Sequence, residues 1–212
     1  MKNFFLLLGL AGALPAGTIV YDSGGPDGAN GITSAGMAAE NFTIASPTVL
    51  NQLVFFGSAN VNDVASQFDG TIGFRILSDN AGAPGSSLAA GSDPFVVLID
   101  NHTLTVGTEE YRFVVNLGSI SLNPGTYWLA LHEGAIGSPA DGTPIYWDTT
   151  SSTTSALPQK TSDTTGTTGY TQAVQLSRSL SFQLVSTPEP GTTGLFVLGA
   201  AAMWFTRKRF VR

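Results

Sequence analysis

Short apolar or alternating runs, each closed by turn-forming residues, recur along the chain and leave no room for long helices. Every second residue from Tyr111 to Leu117 is apolar, which places these residues on one face of a strand. Asn123-Pro124-Gly125 predicts a tight turn, because proline fixes φ and glycine accepts a positive φ. Comparable runs lie at 41–44, 49–56, 71–77, 94–100, 126–132, 145–148 and 173–185. The pattern predicts an all-β domain of about eight to ten strands, with an antiparallel β-sandwich of jelly-roll type as the favoured architecture.

The composition agrees with this fold class and excludes several kinds of function. Charged residues make up 11% of the chain, against about 25% in an average soluble domain. Between residues 17 and 186, four basic residues stand against fourteen acidic ones, so the surface would repel the phosphates of a nucleic acid. The chain has no cysteine, which excludes a thiol nucleophile and a thiolate metal site.

Residues 1–16 have the layout of a secretory signal peptide. Lys2 precedes an apolar stretch of about ten residues, and small residues follow that stretch. The stretch is too short to span a bilayer. Cleavage after Ala13 or after Ala16 would leave a β-sandwich domain over residues 17–186.

The C-terminal segment, residues 187–212, combines three features in a fixed order. Pro188-Glu189-Pro190 holds the chain extended, because proline cannot continue a helix. The apolar stretch 194–205 would cover roughly 18 Å as a helix, short of the ~30 Å hydrocarbon core. The basic cluster Arg207, Lys208 and Arg209 stays cytoplasmic under the positive-inside rule. The segment therefore predicts a short transmembrane helix that anchors the chain transiently in the inner membrane.

This arrangement resembles the PEP-CTERM sorting signal. In that family the tail is recognised by an exosortase, an integral-membrane, transpeptidase-like enzyme of Gram-negative bacteria that make exopolysaccharide. The resemblance implies an exosortase-type partner and processing near Pro188-Glu189-Pro190. It also implies delivery of the β-sandwich domain, residues 17–186 (the body), to the cell surface or the extracellular matrix. It covers about 25 residues of the chain. The predicted body is similar to the β-sandwich domains that often precede this tail.

Candidate catalytic groups are few. His102 and His132 are the two histidines, and both are interpreted as structural residues at turns. The sequence contains neither a Gly-x-Ser-x-Gly elbow nor a His-Glu-x-x-His motif. Glu133, Asp141 and Asp148 are candidate carboxylates for glycoside hydrolysis, but their spacing alone does not bring them together. The chain is therefore predicted not to be an enzyme.

Aromatic residues near these acids raise a second hypothesis. Trp128, Tyr146 and Trp147 could stack on sugar rings, so the alternative function is a carbohydrate-binding module that uses exposed aromatics. The leading hypothesis remains a non-catalytic envelope or matrix protein associated with exopolysaccharide.

Polar segments add two further expectations. Residues 149–169 are rich in threonine and serine and are predicted to form a long exposed loop, with O-glycosylation as an alternative interpretation. Oxygen ligands in predicted loops could hold a structural calcium ion, although their spacing matches no EF-hand, and no other cofactor is predicted. These candidate ligands are Asp22, Asp27, Asn30, Asp79, Asn80, Asp100 and Asn101.

Overall fold

The predicted strands are present in the described residues, and most continue further than their apolar runs. The run 145–148 forms a strand only at Tyr146–Trp147, and the described strand within 173–185 begins at Phe182. The structure, a computed structural model, describes residues 17–29, 32–33, 36–60, 68, 70–105, 108–139, 145–152, 157–172 and 178–186. These residues contain strands and no helix, so the all-β prediction is confirmed. The strands are β1 (Thr18–Asp22), β2 (Ile32–Thr33), β3 (Met37–Ile44), β4 (Thr48–Asn60), β5 (Thr71–Asp79), β6 (Pro84–Thr105), β7 (Thr108–Leu122), β8 (Gly125–Glu133), β9 (Tyr146–Trp147), β10 (Gln159–Thr161), β11 (Thr171–Gln172) and β12 (Phe182–Ser186). The predicted signal peptide and the C-terminal segment lie outside the described residues.

Two antiparallel sheets share one long strand. The first sheet has the order β1-β12-β4-β7-β6, and the second has the order β6-β5-β8-β3-β10-β11. β6 belongs to both sheets, because its residues up to Pro94 pair with β5 and those from Phe95 pair with β7. The short β9 pairs with β4 and with β2. Residues Ile19–Ser186 form one compact unit.

Apolar side chains from both sheets form the core of the sandwich. Phe55 and Phe113 of the first sheet stack with ring centroids 4.6 Å apart and an interplanar angle of 9°. They belong to the same buried cluster as Phe42 and Leu129 of the second sheet. Every second residue from Tyr111 to Leu117 is buried, as the alternation predicts.

A second, smaller cluster lies on the other face of the second sheet. Side chains alternate between the faces of a strand, and in β8 Leu129 and Leu131 belong to the core while Trp128 and Ala130 do not. The outer cluster consists of Met37, Ala39, Leu77, Trp128 and Ala130. β8 is thus covered on both faces, which explains its nearly continuous apolar sequence.

β6 differs most from its predicted extent. It begins at Pro84, ten residues before the predicted run, and its residues 84–93 are exposed or half-buried and mostly small. The turn predicted at His102 is wrong, because β6 continues to Thr105 with irregular pairing between Ile99 and Thr103. The first half of β6 has no apolar alternation from which its sequence could predict a strand.

The turn between β5 and β6 gives a testable stability effect. Asn80 and Ala83 exchange backbone hydrogen bonds of 2.8 and 3.2 Å. With φ of 53° at Ala81 and 84° at Gly82, this is the geometry of a type I′ turn. An L-residue with a side chain is strained in the left-handed region, whereas glycine is not. We expect Ala81→Gly to raise the free energy of unfolding by about 0.5 to 1 kcal/mol in a urea titration.

The matched control for this turn is Ala83→Gly. Ala83 lies outside the left-handed region, so its replacement only adds backbone entropy to the unfolded chain and should destabilise the protein slightly. An Ala81→Gly variant no more stable than the Ala83→Gly variant would contradict the turn geometry.

Candidate functional site

The aromatic residues proposed as a sugar platform are buried. Trp128 and Trp147 have exposed fractions of 0% and 1%, and Tyr146 is half-buried. Trp147 packs edge-on against Phe55 and Phe182, with ring centroids 6.1 and 5.6 Å apart. A stacking platform needs an accessible ring face, so the prediction of exposed tryptophans is wrong.

The polar atoms of the two indole rings are also satisfied inside the protein. Trp147 Nε1 donates a hydrogen bond of 3.0 Å to the carbonyl oxygen of Ser181. Trp128 Nε1 donates one of 2.9 Å to Oδ1 of Asp79. Buried tryptophans normally find such partners, and both residues are therefore structural in this fold.

The carboxylates proposed for glycoside hydrolysis are closed to a substrate. Glu133 and Asp148 both have an exposed fraction of 0%. Glu133 Oε2 accepts a hydrogen bond of 3.1 Å from the backbone N–H of Ile145, and Asp148 Oδ1 accepts one of 2.6 Å from Ser58 Oγ. Asp141 lies outside the described residues. Neither described carboxylate is open to a substrate, as the acids of a glycosidase must be.

Both ring nitrogens of His132 lie within hydrogen-bond distance of backbone carbonyl oxygens. Nδ1 lies 3.0 Å from the carbonyl oxygen of Gly36, and Nε2 lies 2.9 Å from that of Ser138. The residue has an exposed fraction of 0%, so neither ring nitrogen is available to a substrate. His102 lies in β6, and only its backbone is described.

Three of the proposed calcium ligands have protein partners. Asp22 accepts hydrogen bonds from the Gly24 backbone and the Gln183 side chain, while Asp27 forms an ion pair of 2.6 Å with Arg178. In the part of the chain that the structure describes, no three His, Cys, Asp or Glu side chains are arranged to hold a metal ion. Asn30 lies outside that part, and the side chains of Asp100 and Asn101 are not described. Asn80 belongs to the β5–β6 turn, and Asp79 is the partner of Trp128.

The threonine- and serine-rich segment is not a uniformly exposed loop. Thr149 and Thr150 each have an exposed fraction of 1%. Further along, Gln159–Thr161 forms β10, which pairs with β3 and with the returning strand β11. We call residues 159–172 the Thr-rich hairpin. The exposed-loop prediction is wrong for Thr149, Thr150 and β10. Between β10 and β11 the segment is a turn with exposed residues, and hydrogen bonds order it more than apolar burial does.

Asp163 organises the Thr-rich hairpin. Its Oδ1 accepts hydrogen bonds from the backbone N–H and the hydroxyl of Thr165, at 2.9 and 2.6 Å. Its Oδ2 accepts four more from the backbone N–H and hydroxyl groups of Thr167 and Thr168. These hydrogen bonds, led by the Thr165 hydroxyl, hold the pKa of Asp163 well below its ordinary value. The sequence signal is an aspartate followed by hydroxyl residues two, four and five positions later.

The hairpin covers the outer cluster. Tyr170 packs against that cluster, and a Cβ added at Gly166 would lie 2.8 Å from Cε of Met37. Arg75 Nε donates to the carbonyl oxygen of Thr165, and the Gly137 N–H donates to that of Thr164 at 3.0 Å. The burial of Trp128 therefore depends on a segment whose sequence looks like a loop.

We expect Asp163→Asn to loosen the hairpin. An amide keeps one acceptor oxygen where the carboxylate has two charged ones, so several hydrogen bonds to threonine are lost. Hydrogen exchange followed by mass spectrometry should show about tenfold faster exchange over 162–169. Asp93→Asn removes the same charge from β6 and should leave exchange in the hairpin unchanged. Equal exchange in both variants would contradict the role of Asp163.

The same carboxylate predicts a pH dependence. Because the pKa of Asp163 is lowered on folding, the unfolded hairpin binds the proton more tightly than the folded one. The stabilisation is present above about pH 4 and is lost as the pH falls toward the folded pKa. Hairpin exchange corrected for its intrinsic pH dependence should rise on acidification in the wild type but not in Asp163→Asn.

Two open clefts flank the Thr-rich hairpin. One of about 570 Å³ is lined by residues that include Gly36, Met37 and Lys160. The other, of about 510 Å³, lies between Thr167 and the β5–β6 turn, with Asp79 in its wall. Both linings consist mainly of small, proline and hydroxyl residues, with Lys160 as the charged residue of the first cleft and Asp79 as that of the second.

Comparison with known proteins supplies no function by similarity: no family model matches the chain, and no curated protein or solved structure matches it. No helix in the described ranges has the length and apolar character needed to cross a membrane. The sorting motif (Pro188, Glu189, Pro190) and the basic cluster (Arg207, Lys208, Arg209) lie outside those ranges. The function must therefore be argued from the order of segments along the chain.

Proposed function

We propose that this chain is an exported, non-catalytic protein of the cell envelope or extracellular matrix, sorted by an exosortase-type enzyme. The order of its segments carries the proposal: an export signal, a β-sandwich, Pro188-Glu189-Pro190, an apolar stretch and a basic cluster. The last strand that the structure describes ends at Ser186, and only Thr187 lies between it and Pro188 in the sequence. Processing at or beyond Pro188 therefore leaves every described strand intact.

The body presents hydroxyl groups to its surroundings. Ser162, Thr165, Thr167 and Thr168 are exposed on the Thr-rich hairpin. The three threonine hydroxyls donate to Asp163, but each oxygen can still accept a hydrogen bond from a polysaccharide hydroxyl. This supports association with exopolysaccharide through a polar surface. The alternative of a module that stacks sugars on Trp128 and Trp147 is not retained, because both rings are buried.

We infer further that the sandwich is of the jelly-roll type. The strand orders β1-β12-β4-β7 in one sheet and β3-β8-β5-β6 in the other support this inference. Strands that follow one another in sequence, such as β3, β4 and β5, alternate between the sheets, as they do when paired strands wrap around a barrel axis. The short strands β2, β9, β10 and β11 are additions to this set of eight.

The proposed function is tested by removing the sorting motif in the native host. We expect a Pro188→Ala, Glu189→Ala, Pro190→Ala triple variant to stay in the inner-membrane fraction with its tail uncut, while the wild-type body reaches the surface or the medium. A Thr192→Ala, Thr193→Ala double variant is the matched control and should be sorted normally. Normal trimming and delivery of the triple variant would refute the proposal.

A further inference from the structure

Asp148 is fixed between three elements of the first sheet. It follows β9, and its backbone N–H donates a hydrogen bond of 2.9 Å to the carbonyl oxygen of Phe56 in β4. Its own carbonyl oxygen accepts one of 2.8 Å from the N–H of Ser181, beside β12. These bonds fix the backbone of Asp148, and the residue has an exposed fraction of 0%.

One oxygen of the Asp148 carboxyl group is satisfied and the other is not. Oδ1 accepts the 2.6 Å hydrogen bond from Ser58 Oγ. Oδ2 is buried and has no hydrogen-bond partner among the residues that the structure describes. A buried carboxylate with an unsatisfied oxygen is unfavourable, because it has lost its hydration without full compensation.

The charged groups that act on this carboxyl group are acids. Glu110 of β7 lies opposite Ser58 in the strand register and has an exposed fraction of 3%. Asp27, from the segment after β1, also repels a charge on Asp148, and the Arg178 guanidinium is paired with Asp27. β4 contributes Ser58, and residues 179–181 contribute only serine and leucine. β7 also carries Arg112, opposite Phe56 of β4, but the charges that shift the pKa of Asp148 are those of Glu110 and Asp27.

We propose that Asp148 is a proton-sensitive switch that holds the sandwich together when its carboxyl group is protonated and loosens it when the proton is lost. The neutral acid keeps the hydrogen bond from Ser58 and removes the repulsion from Glu110 and Asp27. Burial, with those two acids adding to it and the Ser58 hydrogen bond opposing it, raises the pKa of Asp148 from 3.8 to about 7.

The direction of the pH effect follows from proton binding. The folded protein keeps the proton at pH values where the unfolded chain has released it, so the stabilisation is full below the unfolded value and is lost as the pH rises through the folded value. Between pH 5 and pH 8 this group alone should raise the unfolding equilibrium constant about a hundredfold.

Urea unfolding of the full chain in a mild non-ionic detergent, measured from pH 5 to pH 8, tests the switch. Between pH 5 and pH 8, the unfolding equilibrium constant of Asp148→Asn should rise about a hundredfold less than that of the wild type. The reason is that the amide carries no charge at any of these pH values. Asp22→Asn removes an exposed carboxylate and should keep the wild-type pH profile. Ser58→Ala removes the hydrogen bond that favours the charged form and should shift the loss of stability to higher pH.

A spectroscopic measurement keeps the proposal testable if Asp148→Asn fails to fold. Difference infrared spectra of the folded wild type should show the carbonyl stretch of a protonated carboxyl group that disappears near pH 7, and at higher pH in Ser58→Ala. Such a band, together with the flattened profile of Asp148→Asn, would support the switch. Parallel pH profiles for the wild type and Asp148→Asn, or no titrating carboxyl band near pH 7, would overturn it.

Discussion

Trp147→Ala should lower the free energy of unfolding by about 3 to 5 kcal/mol, the range for truncating a fully buried tryptophan. Trp147 lies in a two-residue strand, so little backbone pairing fixes it, and it contacts Phe55 and Phe182 across the core. Its removal opens a cavity in the centre of the sandwich and leaves the Ser181 carbonyl oxygen without its indole donor. Urea unfolding followed by circular dichroism measures the loss.

Leu88→Ala is the control for this truncation. Leu88 is a large apolar residue with an exposed fraction of 54%, and its shortening should change the free energy of unfolding by less than about 0.5 kcal/mol. The loss in the free energy of unfolding for Trp147→Phe should lie between those for Trp147→Ala and Leu88→Ala, because phenylalanine keeps most of the ring contacts but loses the hydrogen bond. If Trp147→Ala cost no more than Leu88→Ala, the tryptophan would not be in the core.

Trp128→Ala should lower the free energy of unfolding by a similar amount, and it should also loosen the Thr-rich hairpin. The outer cluster would lose its largest member, which costs about 3 to 5 kcal/mol if the cavity does not collapse. The Thr-rich hairpin rests on that cluster through Tyr170 and Gly166. We therefore expect faster hydrogen exchange in residues 159–172 while β12, in the opposite sheet, stays protected.

Trp128→Phe separates packing from the hydrogen bond to Asp79. It keeps an aromatic ring over the sheet, so the hairpin should remain largely protected while the free energy of unfolding falls by a smaller amount. Unchanged exchange of the hairpin in Trp128→Ala would show that the segment does not depend on the outer cluster for its order.

The strands that face the core could be predicted because one face of each is apolar. In the runs 111–117 and 180–184 the apolar residues that alternate along the strand are buried. The run 126–132 also predicts a strand, but its alternation is weak because β8 is covered on both faces. The first half of β6 has no such pattern, since its mostly small residues lie at a sheet edge and bury little apolar area.

The candidate site was harder to predict than the fold. A tryptophan in the core and a tryptophan that stacks on a sugar have the same surroundings in sequence, so only the burial of Trp128 and Trp147 distinguishes them. The sequence shows Asp148 only as a candidate carboxylate near aromatic residues. Its burial and its proximity to Glu110 depend on the pairing of β4 with β7 and β9, which the sequence does not reveal. The sequence predicts a loop at the Thr-rich hairpin, because hydrogen bonds to one carboxylate order this segment and leave no apolar pattern in the sequence.

We propose that the chain is exported and then trimmed at both ends. Intact-mass measurement of the mature protein, purified from its native host, tests this proposal. We expect a mature protein that has lost residues 1–13 or 1–16 and that ends near Pro190. A mature protein that still carries Arg207–Arg212 would contradict the sorting role assigned to Pro188-Glu189-Pro190.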